Sequence, residues 1–375
     1  MEKVKGSTES ALSPISEKSR LVYLDNIKVA LTLLVVAHHA GQAYGPTNDW
    51  PILSVERSSI LGSFFDVNGA FLMGLFFLIS AYFTPASVDR KGIGSFLKGR
   101  FLLLGIPFVF MLVVVFGPIT YVVDKVDIGF WEYMFFVYIG QGDFEVGHLW
   151  FIALLLVFSV CYSIARFVSP LVNVRIKPII SLPGHFSLLI FSIILAFLNF
   201  IIRIWFPVGV WVDIFPFMPL EIGRFPQYAC FFVIGIIAYR YNWLNTIPTM
   251  TGVIWFIIGV MAGIIHYTNT SLNLIPSVII WPLLEAFIGV GLMTGLLVIG
   301  RDFWNKRGRL MTWLADNAFT VYLIHIFMVY LFQVTMEEIA MGPFLKFVIV
   351  SITGAILSFV ISHFIRKMPL VNKIL

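Results

Sequence analysis

Ten stretches of about twenty predominantly apolar residues run through this chain, and that is the length a helix needs to cross the hydrocarbon of a bilayer. They fall at roughly 22–45, 62–84, 101–123, 148–168, 186–206, 225–241, 250–268, 275–299, 313–334 and 343–365. In lipid each backbone group must find its partner inside the protein, so runs of this length are helices. Charge agrees: 12% of the 375 residues are Asp, Glu, Lys or Arg, about half the share of a soluble domain. The predicted fold class is all-α, a polytopic integral membrane bundle of about ten helices. Residues 21–366 form one transmembrane domain between a flexible tail, 1–20, and a short basic tail, 367–375. No soluble domain interrupts the spans, and no internal repeat of the kind that builds many transporters is visible.

The first twenty residues, "MEKVKGSTESALSPISEKSR", lack the apolar core of a signal peptide, and neither end carries a lipidation pattern. Placing both termini in the cytoplasm puts nearly all basic residues on that side, as the positive-inside rule requires. They include Lys3, Lys5, Lys18 and Arg20 of the tail and Arg175, Lys177 and Arg307 of two loops. Only Arg57, Lys125, Arg203, Arg224 and Lys346 fall elsewhere. The net charge of +5 therefore reflects membrane topology and gives no sign of nucleic-acid binding. The expected location is the plasma membrane, with lipid as the immediate partner. Cys161 and Cys230 each lie in an apolar run, which provides neither a disulfide framework nor a metal-binding spacing.

Ionisable residues at membrane depth are costly and face a cavity or a partner. Here they are His38 and His39 in the first span, Asp66 in the second, Arg203, Glu285 and His325. Helix geometry separates the two adjacent histidines. At about 100° per residue, Lys28 and His39 differ by only about 20° in direction, whereas His38 is turned about 80° the other way. Asp25 shares the face of Lys28. One stripe thus carries Asp25 and Lys28 at its mouth and His39 about 16 Å further along, an expected mid-membrane position. His38 reads as packing. His325 lies about 18 Å from Trp313, a depth similar to that of His39, and the two rings suggest a shared polar cavity. Arg203 sits near the outer interface, where it can snorkel. Glu285 needs a partner or a proton. His148, in "GHLWF" at 147–151, is either a functional imidazole or the polar neighbour of an interfacial Trp150. Of the basic loop "SVDRKGIGSFLKGRFLLLGIP", Arg90 and Lys91 read as topological charges. Lys98 and Arg100 sit at the membrane mouth, where a phosphate-rich ligand can dock.

Several blocks resemble the acyltransferase-3 superfamily, membrane-bound acyltransferases that include O-antigen acetylases and glucan biosynthesis protein C. "RLVYLDNIKVALTLLVVAHHAGQAYG" is similar to the family's opening signature, Leu-Asp-x-x-Arg followed eleven residues later by His. "GLFFLISAYFTPASVDRKGIGSFLKGRFLLLGIP" resembles its second block, and "GHLWFI", "FPQYACFFVIGIIAYR" and "NAFTVYLIHIF" resemble three later ones. The chain departs from the pattern twice. Lys28 stands for the usual Arg, keeping the charge without the bidentate fork, and Leu103 stands where many members have a second Arg.

The resemblance implies that His39 is the catalytic histidine, acting as base or as transient acyl carrier. It implies that Lys28 and Arg100, with Lys98 substituting for the missing Arg, hold an acyl-CoA donor, acetyl-CoA by default and succinyl as the alternative. The acceptor is expected to be a hydroxyl of an extracytoplasmic glycan, lipid or small molecule. Asp25, paired with Lys28, would orient the mouth. His148, Arg203, Glu221 and Arg224 would lie on the acceptor side, and Glu285 and His325 would line the cavity. No metal or prosthetic group is expected, and no protein partner is named. Two other readings stay open at this stage: a proton-coupled transporter using intramembrane His and Glu, and a non-catalytic member of an envelope assembly.

Overall fold

The computed structural model describes residues 21–169, 183–306 and 308–374. The tail 1–20, the loop cations Arg175, Lys177 and Arg307, and Leu375 lie outside these residues. The long helices are α1 (Val22–Gln42), α2 (Ile60–Lys91), α3 (Ile93–Val123), α4 (Trp150–Val168), α5 (His185–Arg203), α6 (Phe225–Arg240), α7 (Thr249–Leu272), α8 (Ser277–Phe303), α9 (Arg309–Met336) and α10 (Pro343–Ile365). Among the described residues, α2 to α10, with the short turns leading into α4 and α6, are long and apolar enough to cross a membrane. Helix α1 has the length, but Asp25, Asn26, Lys28 and two histidines make it the more polar element. The all-α polytopic bundle expected from the sequence is what forms. Its one addition is an antiparallel hairpin, β1 (Trp211–Phe215) with β2 (Met218–Glu221).

Helix α1 tolerates those polar residues because protein surrounds it: it packs against α2, α8, α9 and α10. Leu24, Ile27, Leu31 and Val35 join the core shared with α2 and α8. Val36 and Ala40 join a second core with α9 and α10. Between lipid-embedded helices association depends on close packing, which small residues permit. Gly259 of α7 shows this, since a Cβ there would meet the backbone of Gly291 and Leu292 of α8 within 2.8–3.2 Å.

Two local features depart from regular helix. Gly92 joins α2 to α3 with φ +76°, a conformation that favours glycine. Within α3, π-helical stretches at Phe101–Gly105 and Phe110–Phe116 each precede a proline, Pro107 and Pro118. A proline has no N–H for the carbonyl four residues back, and the widened turn re-pairs the ladder. Proline does not end α2 or α8, which run through Pro85 and Pro282.

The structure corrects the first span. Helix α1 stops at Gln42, so His39 lies in its last turn and not at mid-helix. The chain turns at Ala43 and Tyr44, and the turn formers Gly45 and Pro46 follow directly. The loop that follows folds back: Ser54 N–H donates to the Ala43 carbonyl at 2.9 Å and Ser58 N–H to that of Tyr44 at 2.7 Å. This brings Trp50 over the end of α1.

Candidate active site

Three of the sequence candidates meet where α1 ends. His39 Nδ1 lies 2.9 Å from His325 Nε2 of α9, and the His148 ring centroid is 4.9 Å from that of His325 and 6.3 Å from that of His39. His148 comes from the turn Gly147–Leu149 that opens α4. The Tyr322 hydroxyl donates to the His148 carbonyl and fixes that turn against α9.

The hydrogen bonds assign the tautomers. His325 Nδ1 is 2.8 Å from the Tyr322 carbonyl oxygen and 3.2 Å from that of Val321. Carbonyl oxygens only accept, so His325 Nδ1 carries the hydrogen. In the neutral ring Nε2 then holds a lone pair, which accepts from His39 Nδ1–H. The lone pair of His39 is then left on Nε2. His148 Nε2–H donates to the Leu323 carbonyl at 3.2 Å, and its bare Nδ1 is enclosed without a partner. His325 is 0% exposed and His148 6%, whereas His39 is half-buried. Of the three rings, His39 is the least enclosed.

A support that sequence reading passed over holds His39 in place. The Trp50 indole lies over the imidazole, centroids 5.7 Å apart and planes 18° from parallel. Its Nε1–H donates to Gln333 Oε1 at 2.9 Å. Gln333 Nε2 donates to the carbonyls of His39 and Ala40, each at 3.1 Å. One buried amide therefore fixes both the helix end and the ring that covers the imidazole. The signal was a glutamine inside the apolar run "YLFQVTM", passed over because amides do not titrate. His38 points elsewhere, accepting from Gln42 Nε2 at 3.1 Å with its ring 5.1 Å from that of Phe65.

At the other end of α1, Lys28 pairs with Asp25 at 2.8 Å and stands over the Phe83 ring at 5.9 Å. Arg100 Nη2 donates to Thr84 Oγ1 at 3.2 Å and packs on Phe96. Two cations from α1 and α3 thus reach consecutive residues of α2, and Lys28 lies three helical turns, about 16 Å, from His39 along α1. Lys98 is exposed on α3. Leu103 is exposed on the flank of α3, as an apolar side chain facing lipid should be.

Arg203 and Glu285 do not join the histidines. Glu285, fully buried, accepts from Arg224 Nη1 at 2.7 Å and from Asn199 Nδ2 at 3.3 Å, and forms an ion pair with Arg203. Arg224 Nε also donates to Glu221, 3.1 Å away, and Arg203 Nε to the Gly223 carbonyl at 3.0 Å. Arg203 therefore does not snorkel; a fixed acid holds it inside the bundle. Two arginines and two glutamates balance, and tie α5, α6, α8 and the hairpin together. Asp66 accepts from His266 Nε2 at 2.8 Å, a histidine sequence reading did not single out. Trp150 lies against Trp211 and Tyr228 within an aromatic cluster.

The family model described as an acyltransferase domain, acyltransferase-3, matches residues 21–363. The chain belongs to the acyltransferase-3 family. This multi-pass membrane protein is accordingly an acyltransferase, and the match runs from the start of α1 to within two residues of the end of α10. No curated protein and no solved structure matches the chain. Among the described residues no three His, Cys, Asp or Glu side chains are arranged to hold a metal ion.

Proposed function

We propose that this acyltransferase carries an acyl group, acetyl by default and succinyl as the alternative, from cytoplasmic acyl-CoA to a hydroxyl on the opposite side of the plasma membrane. The acceptor is a glycan, a lipid or a small molecule. Both termini face the cytoplasm in this reading, in keeping with the partition of the basic residues. Lys28 and Arg100, with the exposed Lys98 nearby, take the donor's phosphates, and Asp25 holds Lys28 in its orientation. The thioester arm extends along α1 towards His39.

His39 Nε2 removes the acceptor's hydroxyl proton as the oxygen attacks the thioester carbonyl carbon. The new C–O bond forms, the C–S bond breaks, and the proton held at Nε2 passes to the departing CoA sulfur. His325 keeps His39 in the required tautomer and shares the positive charge through the Nδ1–H···Nε2 bond, the part a carboxylate plays beside other catalytic histidines. Trp50 and Gln333 restrict the ring to one orientation.

The observation that carries this reading is the His39–His325 bond, which leaves the lone pair of the half-buried His39 ring on Nε2. Membranes carrying wild type or His39→Ala are supplied with acetyl-CoA labelled in the acetyl group, and labelled envelope product is measured. Label is expected from wild type only; equal label from both defeats the assignment.

A further inference from the structure

An open groove of about 400 Å³ runs along the flank of the bundle. Phe64 and Val67 of α2, Gly263, Ile264 and Tyr267 of α7, and Leu292 of α8 line it. All three helices are long and apolar enough to span the membrane, and hydrocarbon is the medium such a flank meets. Two observations set the groove apart from an ordinary seam between helix and lipid.

The first is a polar pair one residue from the lining on each of two helices. Asp66, beside Val67, has 39% of its side chain exposed and accepts from His266 Nε2. His266, beside Tyr267, rests on Trp281 with ring centroids 4.1 Å apart. A half-exposed carboxylate inside a spanning segment is costly unless donors cover it, and a hydroxylated head group supplies such donors. The second is nearness to the active site. The Phe64 ring is 6.5 Å from that of His38, which meets His39 edge-on at 5.8 Å.

We infer that the groove holds the apolar chain of a lipid-borne acceptor. Its hydroxylated head group is held at the Asp66–His266 pair and reaches His39 from the membrane side. The inference rests on the His39 reading and names the acceptor class as lipid. Gly263 keeps the groove open: a Cβ there would meet only Val67 Cγ2, at 3.6 Å. A methyl group therefore fits, and a longer side chain fills the groove without displacing backbone.

The test uses the full chain in membranes with acetyl-labelled acetyl-CoA, followed by partition of products between chloroform–methanol and water. Wild type is expected to label the organic phase in a His39-dependent way. Gly263→Leu should lower that label at least about tenfold, and Val67→Phe, filling the groove from the opposite wall, should do the same. Gly263→Ala should stay within about twofold of wild type. Size-exclusion profiles matching wild type establish that the variants fold. His39-dependent label found only in water-soluble product, or organic label unchanged in both folded filling variants, overturns the lipid assignment while acyl transfer by His39 stands. Absence of His39-dependent label in either phase overturns both.

Discussion

His325 Nε2 lies 2.9 Å from His39 Nδ1 across 286 residues of chain. Because the Tyr322 carbonyl takes the other nitrogen of His325, the pair has one arrangement of protons in its neutral state. That arrangement determines which nitrogen of His39 holds the lone pair, and the following predictions test its consequences.

Removing the base should cost the whole of its contribution. General-base catalysis contributes about 10²- to 10⁴-fold, so His39→Ala should lose that much of kcat/KM in labelled acetyl transfer. His325→Phe should also act mainly on kcat, because the donor's cationic mouth is untouched. A glutamate at 325 can accept the same Nδ1–H, and His325→Glu should recover part of the loss. Equal activity of Phe and Glu variants would deny His325 a positioning role.

The pair should titrate as a unit. His39 has to be neutral to accept the hydroxyl proton, and one added proton shared with His325 is enough to silence it. As pH falls through the acid limb, kcat/KM should drop about tenfold per unit, a slope of one. A limiting slope of two would show that the rings protonate independently.

Gln333 serves the helix end and the Trp50 cover together. In Gln333→Leu the carbonyls of His39 and Ala40 and the Trp50 indole N–H lose their partner, at about 1–3 kcal/mol for each buried group left unsatisfied. Detergent-solubilised protein should unfold at a lower temperature, and kcat should fall more than KM changes. Trp50→Phe, which keeps a ring over the imidazole, should lose less activity than Trp50→Ala.

The buried ion network should prove structural. Glu285→Gln leaves Arg203 and Arg224 under-compensated, and removing one partner of a buried pair costs about 3–5 kcal/mol. Lower yield and earlier thermal unfolding are expected, with the protein that does fold keeping its pH profile. A profile shifted with stability unchanged would give Glu285 a part in proton transfer.

Much of this protein was legible in one dimension. The bilayer requires about twenty apolar residues per span, and that rule located all ten helices, though it ended α2 seven residues early and began α3 eight residues late. The pairing of Asp25 with Lys28 followed from helical spacing, and the similar depth of His39 and His325 from rise per residue. Local rules also carried errors. The apolar run overstated α1, and a residue-by-residue tally of charges sent Arg203 towards solvent, because the acid that holds it, Glu285, is 82 positions away. The contacts between distant segments were decided only by the fold: Trp50 folded back over His39, Gln333 bonded beneath it, His266 against Asp66. Hydrophobic periodicity reports how far each side chain must be from water; which polar group it meets there depends on how separate helices are turned and packed against each other.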